Sequence, residues 1–378
     1  MRMRAAVMYE QGLPQPFEES QPFRIEEVEL APPGPKEVLI DVRAAGICHS
    51  DLSQVKGMRK RQLPVVGGHE AAGIVKEVGE GVTRVKVGDH VVMTGVSGCG
   101  ECEICRDGFP ALCKSVTLPR TKGLLASGVS RLSKDGETIY HYSGISGFAQ
   151  YAVAMENNLV PIDKSVPLDV AAMFGCAVVT GAGAVFNTAR MDSGRRVAVI
   201  GLGGVGLNAV MAAKIAGAKQ IIGIDMMSEK FDLAKELGAT DVFLATDPDL
   251  VQKIRELSDG GLHYVFDMTG AAPALKTAYD VLRPHGEIIS VGLGATGAQN
   301  CYDHTALVTE EKSIRGSFMG SCLPDRDIPQ YVEYFSAGRM PIDRLRTETI
   351  TLDDINRGFD RLARGEVIRQ IVLPHGKL

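Results

Sequence analysis

The spacing of hydrophobic positions changes near the middle of the chain. Up to residue 154 they gather in short runs rich in Val, Ile and Ala: AAVMY (5–9), EVLIDVRAAG (37–46), EAAGIVKEVG (70–79), HVVMT (90–94) and GFAQYAVA (147–154). Gly, Pro or charged turns separate them, which predicts β-strands. The stretch from 114 to 146, rich in Gly, Ser, Lys and Arg, reads as surface loops. At LDVAAMFGCAVVTGAGAVF (168–186) the pattern turns helical. Beyond it lie near-continuous apolar runs: RVAVIG (196–201), QIIGID (220–225), DVFLA (241–245), YVFDMTG (264–270) and EIISVGL (287–293). Helical segments at 204–216, 228–237, 249–257 and 272–282 separate these runs. Buried strands alternating with helices predict an α/β fold whose parallel sheet is covered on both faces. The tail returns to an amphipathic helix, LDDINRGFDRLARG (352–365), and a last strand, RQIVLP (369–374).

Composition narrows this picture. A chain of 378 residues is too long for one comfortable core, so two domains are expected. Net charge is −5 and the longest basic run is RKR at 59–61. Nucleic acid is therefore excluded as a partner, because phosphate binding needs concentrated positive charge. No run approaches the roughly 20 apolar residues that cross a bilayer, so no membrane partner is expected. The opening segment MRMRAAVMYEQG has no apolar stretch behind its charges, which speaks against a secretory signal. The expectation is a cytoplasmic protein, a compartment in which clustered cysteines are more often metal ligands than disulfides.

The run VAVIGLGGVGLNAVMAAKIAG holds Gly201, Gly203 and Gly206 in the spacing G-x-G-x-x-G. A strand precedes it, a helix follows, and a second strand ends at Asp225, 19 residues beyond Gly206. That context specifies a dinucleotide site. Gly201 permits the tight turn, Gly203 admits a pyrophosphate to the backbone, and Gly206 allows close packing of helix on strand. Asp225 suits the ribose hydroxyls, and its charge disfavours a 2′-phosphate, so NAD is expected rather than NADP.

Four of the eight cysteines lie in one loop, SGCGECEICRDGFPALCK (97–114): Cys99, Cys102, Cys105 and Cys113. Four thiolates at this spacing suit tetrahedral zinc, with no vertex left for water or substrate, so the site reads as structural. An iron–sulfur cluster is the competing chemistry. Elsewhere, GICHSD (46–51) carries Cys48, GGHE (67–70) carries His69, and FGCAV (174–178) carries Cys176. Two Cys and one His would make a zinc site with one open position, the arrangement of a catalytic metal. Spacing alone does not bring the three together.

The segments GICHSD, GGHEAAGIVKEVGEGVTRVKVGDHVV, CGECEICRDGFPALC, GCAVVTGAGAV and GLGGVGLNAV occur in the order found in zinc-containing medium-chain alcohol dehydrogenases. The chain resembles the longer-loop branch, with the liver-type, glutathione-dependent formaldehyde and bacterial aryl-alcohol enzymes. The resemblance implies a GroES-like β-barrel catalytic domain over 1–178 and 321–378. It implies a Rossmann NAD-binding domain over 179–320, with the active site in the cleft between. It implies two zinc ions per chain: a catalytic one on Cys48, His69 and Cys176, and a structural one on the four loop cysteines. Asp51 matches the carboxylate that orients the zinc-bound imidazole, Glu70 lies behind the metal, and Ser50 matches the hydroxyl that bonds the substrate oxygen. His49 and Arg369 match contacts to the pyrophosphate, and Lys230 matches one near the ribose. Gly204 belongs to the glycine loop, and Thr180 and Val205 flank the nicotinamide. Many relatives carry a proton-relay histidine three residues after the hydroxyl; here that position is Ser53.

The implied activity is reversible oxidation of a primary alcohol to an aldehyde. Gly95, where relatives often place an aromatic wall, and Tyr142 suggest room for a bulky or aromatic substrate. Oxidation of S-hydroxymethylglutathione, with Arg59 or Arg120 on a carboxylate, is the neighbouring alternative, as is a tightly held NAD. A catalytically silent NAD sensor has no use for an open metal site, and zinc-free quinone reductases of the superfamily lack both cysteine sets. Relatives commonly form homodimers or homotetramers, and SIRGSFMG (313–320) reads as an edge strand that could pair across a two-fold axis.

Overall fold

The computed structural model describes residues 1–294 and 296–376. The chain divides into two compact units: Met1–Cys176 with Leu323–Ser336 and Ile342–Leu378, and Ala177–Cys322 with Ala337–Pro341.

In the first unit, strands Arg2–Met8, Phe23–Leu30, Leu132–Lys134, Glu137–His141 and Val65–Val66 close a barrel. A seven-stranded sheet runs Leu159–Ile162, His90–Thr94, Glu70–Val78, Glu37–Ile47, Arg369–Leu373, Arg346–Thr351, with Tyr151–Met155 also pairing with Glu37–Ile47. The C-terminal segment thus completes a sheet begun by the first third of the chain. Phe23, Phe148 and Phe359 meet in its core, with ring centroids 5.4–6.3 Å apart.

The 114–146 stretch departs from its sequence reading. It holds helix Lys114–Thr121 and the two barrel strands Leu132–Lys134 and Glu137–His141. The strands are joined by Asp135-Gly136, both at positive φ (51° and 84°), the geometry of a two-residue hairpin turn. Strand Phe23–Leu30 was also hidden, because its four glutamate and arginine side chains mask the alternation of buried positions.

In the second unit six parallel strands run in the order Asp241–Leu244, Gln220–Asp225, Arg196–Ile200, Leu262–Asp267, Leu282–Ser290, Ser313–Gly316. The earliest strand is central and the order reverses at it, the doubly wound arrangement of dinucleotide folds. Ser313–Gly316 is the exposed edge. Among the described residues no single helix is long and apolar enough to cross a membrane.

Candidate active site and metal centres

The first centre is built by strand pairing. Strand Glu37–Ile47 runs antiparallel to Glu70–Val78, with Ala45 opposite Ala71. The end of one and the start of the other therefore lie side by side. Cys48 follows the first strand and caps helix His49–Val55; His69 immediately precedes the second. One Asp51 carboxylate oxygen accepts from the Cys48 backbone N–H (3.0 Å) and the other from His69 Nδ1 (2.9 Å). A single buried side chain thus fixes both.

Cys176 arrives from a third place. The helical run Leu168–Gly175 breaks at Cys176, with φ −143° and ψ −66°. Thr94 Oγ1 holds the break by donating to the Gly175 carbonyl at 2.8 Å. A Cβ on Gly175 would overlap the Met93 carbonyl oxygen, so only glycine lets the segment approach the sheet this closely.

The result is a buried cluster in which ligand atoms of Cys48, His69, Glu70 and Cys176 all lie within 4.8 Å of one another. His69 Nε2 is buried without a hydrogen-bond partner, although an unsatisfied buried polar atom is costly. A hydrogen bond from Cys176 lowers the Cys48 thiol well below its ordinary range, and the same contact raises Cys176. Burial opposes a charge on His69, but Asp51 and the neighbouring sulfur hold its pKa well up. Burial pushes Glu70 up to about 7. Arg369 Nη1 donates to Glu70 Oε1 at 2.9 Å and to the Ile47 carbonyl at 3.3 Å. Arg369 is only 3% exposed, so the guanidinium expected at a pyrophosphate is braced against the carboxylate behind the thiols.

The second centre gathers the four loop cysteines, again within 4.8 Å. Cys99 and Cys105 sulfurs are 4.0 Å apart, and Cys102 and Cys113 sulfurs 3.9 Å. Four sulfurs about 2.3 Å from one ion would be separated by about 3.8 Å. Backbone N–H groups of Glu101 and Cys102 draw the Cys99 thiol down to about 6, while burial lifts Cys105 to about 12.

The second unit carries the glycine loop. Gly201 has φ +94°, and a Cβ on Gly206 would overlap the Gly201 carbonyl. Gly203, Gly204 and Val205 open helix Gly204–Ile215, and a Cβ on Gly203 would point into open space. Asp225 accepts from the Leu202 and Met227 backbone N–H groups (2.7 and 3.0 Å), and Lys230 Nζ lies 3.1 Å from it. Thr180 stands on helix Ala177–Gly183, which packs on the glycine-loop helix beside Val205.

Comparison with known proteins follows the same division. Residues 34–164 match the alcohol dehydrogenase GroES-like domain, and residues 204–337 match the zinc-binding dehydrogenase family. The S-(hydroxymethyl)glutathione dehydrogenase of Synechocystis is 38% identical over 98% of this chain and 100% of its own length. The chain belongs to the zinc-containing medium-chain alcohol dehydrogenases. The Paracoccus denitrificans S-(hydroxymethyl)glutathione dehydrogenase is 37% identical over 99% of this chain and 100% of itself. The benzyl alcohol dehydrogenase structure from Acinetobacter calcoaceticus superposes with a TM-score of 0.92, at 33% identity and 99% coverage of both chains.

For a zinc alcohol dehydrogenase both centres fit their ions on their own geometry. The first offers two thiols and an orphaned imidazole nitrogen whose partner nitrogen is already fixed, as metal-bound histidines require. The second has tetrahedral edge lengths. The glycine loop fits a pyrophosphate, with a bare approach at Gly203 and free helix N–H groups behind it.

Other residues singled out in the sequence fall in the first unit around this centre. His49 is exposed and Ser50 half-buried at the start of helix His49–Val55. Ser53 donates its hydroxyl to the His49 carbonyl at 2.8 Å. The Tyr142 ring meets His69 edge-on, with centroids 5.4 Å apart. A Cβ on Gly95 would meet only Ser143, at 3.8 Å. Thr94 sits in no motif and was not singled out in the sequence, because it acts through a contact with Gly175, distant in the chain.

Proposed function

We propose that this dehydrogenase oxidises a bulky or aromatic primary alcohol to its aldehyde, reversibly, with NAD as hydride acceptor. One observation carries the reading: Cys48, His69 and Cys176 converge in a buried site where His69 Nε2 has no partner while Asp51 fixes Nδ1. Zinc bound there supplies Lewis acidity, which lowers the pKa of a coordinated hydroxyl toward neutrality, and NAD supplies the hydride acceptor.

The chain's own residues do the rest. Cys48, His69 and Cys176 hold the metal, and Asp51 keeps the imidazole in the tautomer that presents Nε2. Glu70, neutralised in part by Arg369, limits negative charge behind the thiolates. Ser50 receives the substrate proton. Ser53 turns its hydroxyl back into its own helix, so the proton continues to solvent through His49 or water. Gly201, Gly203, Gly204 and Gly206 receive the pyrophosphate, Asp225 and Lys230 the ribose, and Thr180 and Val205 the nicotinamide. Space at Gly95 and the Tyr142 face beside His69 support the bulky substrate.

A second reading, oxidation of S-hydroxymethylglutathione, is favoured by the two relatives of that name. The discriminating experiment is NAD reduction with ethanol, benzyl alcohol and S-hydroxymethylglutathione, with zinc quantified on the same sample. Preference for benzyl alcohol over ethanol supports the first reading, and preference for the glutathione adduct supports the second. A preference for ethanol overturns both. Cys48→Ala abolishes turnover while the circular dichroism spectrum is retained.

A further inference from the structure

Two adjacent asparagines, Asn157 and Asn158, each grip the backbone beside one of the two metal centres. They close the short turn Glu156–Asn158, which leads into strand Leu159–Ile162. That turn is fixed in place. The buried Glu156 carboxylate accepts from the Thr83 and Arg84 backbone N–H groups (2.8 and 3.1 Å) and lies 3.0 Å from Lys36 Nζ. The Glu156 N–H donates to the Lys36 carbonyl at 2.9 Å.

From this anchor the two side chains reach different places. Asn158 Nδ2 donates to the Thr94 carbonyl at 2.8 Å and to Ser97 Oγ at 3.1 Å, and all three residues are buried. The pairing of strand Leu159–Ile162 with His90–Thr94 stops at Leu159 opposite Met93. Thr94 lies one residue past that last rung, and the Asn158 amide supplies the donor the ladder no longer provides. On its other side Thr94 pairs with Glu70, the neighbour of His69. Its Oγ1 donates to the Gly175 carbonyl, immediately before Cys176. Asn157 Nδ2 donates instead to the Gly98 carbonyl at 3.1 Å, one residue before Cys99. A Cβ on Gly98 would overlap the Cys105 sulfur, so Gly98 packs directly against the four-cysteine cluster.

We propose that Asn158 is a positioning residue for the catalytic metal, acting through Thr94 on Cys176, and that Asn157 does the same for the loop metal through Gly98. A buried carbonyl deprived of its donor is costly. Without the Asn158 amide the Thr94 backbone turns toward another donor, Oγ1 leaves the Gly175 carbonyl, and the break that aims Cys176 loses its brace. This rests on the two-zinc dehydrogenase reading above and carries it from the ligands to a turn that no motif marks.

The test measures metal release to a chromogenic chelator from the full-length, zinc-loaded protein and its variants. With cobalt in place of zinc at Cys48, His69 and Cys176, the thiolate-to-cobalt absorption band tells which metal leaves. Asn158→Ala should speed release of the catalytic metal about tenfold, the lower end of what loss of an outer partner costs, and leave the loop zinc near the parental rate. Asn157→Ala should reverse the pattern. Thr94→Val, which keeps the shape and removes the hydroxyl, should match Asn158→Ala. The double variant should release the catalytic metal no faster than either single one, because both act along one path. The cobalt band itself should shift in Asn158→Ala and hold its position in Asn157→Ala. Asn158→Ser, which keeps a donor, should fall between the parent and Asn158→Ala.

Parental release of the catalytic metal from Asn158→Ala overturns this inference and leaves the dehydrogenase reading intact. Equal acceleration at both centres, or effects of Asn158→Ala and Thr94→Val that simply add, do the same. A parent protein that takes up no metal at Cys48, His69 and Cys176 overturns both.

Discussion

Replacing Asp51 by asparagine tests how the catalytic centre is assembled. The wild-type carboxylate uses one oxygen for His69 Nδ1 at 2.9 Å and the other for the Cys48 N–H at 3.0 Å. Asparagine has one oxygen and one NH2. If its oxygen keeps the imidazole, its NH2 faces the Cys48 N–H, a donor against a donor. If it turns the other way, His69 loses the acceptor that fixes its tautomer. Either way one buried donor is left unsatisfied, at a cost of about 1–3 kcal/mol. Loss of such outer partners typically lowers metal affinity about 10- to 100-fold, equivalent to about 1.4–2.7 kcal/mol. Zinc release to a chromogenic chelator measures this directly, and the four-cysteine site serves as an internal reference. The variant should release one zinc per chain 10- to 100-fold more readily and the other at the parental rate. Parental affinity for both ions would refute the claim that Asp51 organises the centre.

Three further outcomes follow from other parts of the molecule. His141 is buried in the barrel wall, with Nε2 accepting from the Arg131 N–H and Nδ1 against Ser146, and burial pushes its pKa down to about 4. The unfolded chain, with histidine near 6.5, then binds more protons between pH 4 and 6.5, so stability falls as pH falls through that window. The loss should be about 2 kcal/mol at pH 5 relative to pH 7, read by urea unfolding, and His141→Gln should flatten that part of the slope. In Gly175→Ala the new methyl would overlap the Met93 carbonyl. Overpacking of this kind costs about 1–3 kcal/mol and would displace Cys176, so metal analysis should find the catalytic zinc depleted and the loop zinc intact. Cys105→Ala should show the reverse, one zinc lost from the loop and the thermal midpoint lowered; two zincs in that variant would contradict the structural assignment.

Much of the fold and of two sites is encoded in local stretches of the chain. The glycine loop and the four-cysteine loop were legible because each site is made by residues close in sequence, so spacing alone encodes geometry. The hairpin at 132–141 was equally local and was overlooked, although Asp135-Gly136 is a standard hairpin signature. The catalytic trio was different. Cys48 and His69 meet through the pairing of two strands, and Cys176 arrives through a helix break braced by Thr94. Only resemblance to a known family could anticipate that convergence.

The most direct measurement is diffraction from crystals of the zinc-loaded protein on both sides of the zinc absorption edge. Two anomalous peaks per chain are expected. One should lie among Cys99, Cys102, Cys105 and Cys113. The other should lie about 2.3 Å from the Cys48 and Cys176 sulfurs and about 2.0–2.1 Å from His69 Nε2. A single peak confined to the cysteine loop, with Cys48, His69 and Cys176 bearing no metal, would contradict that expectation.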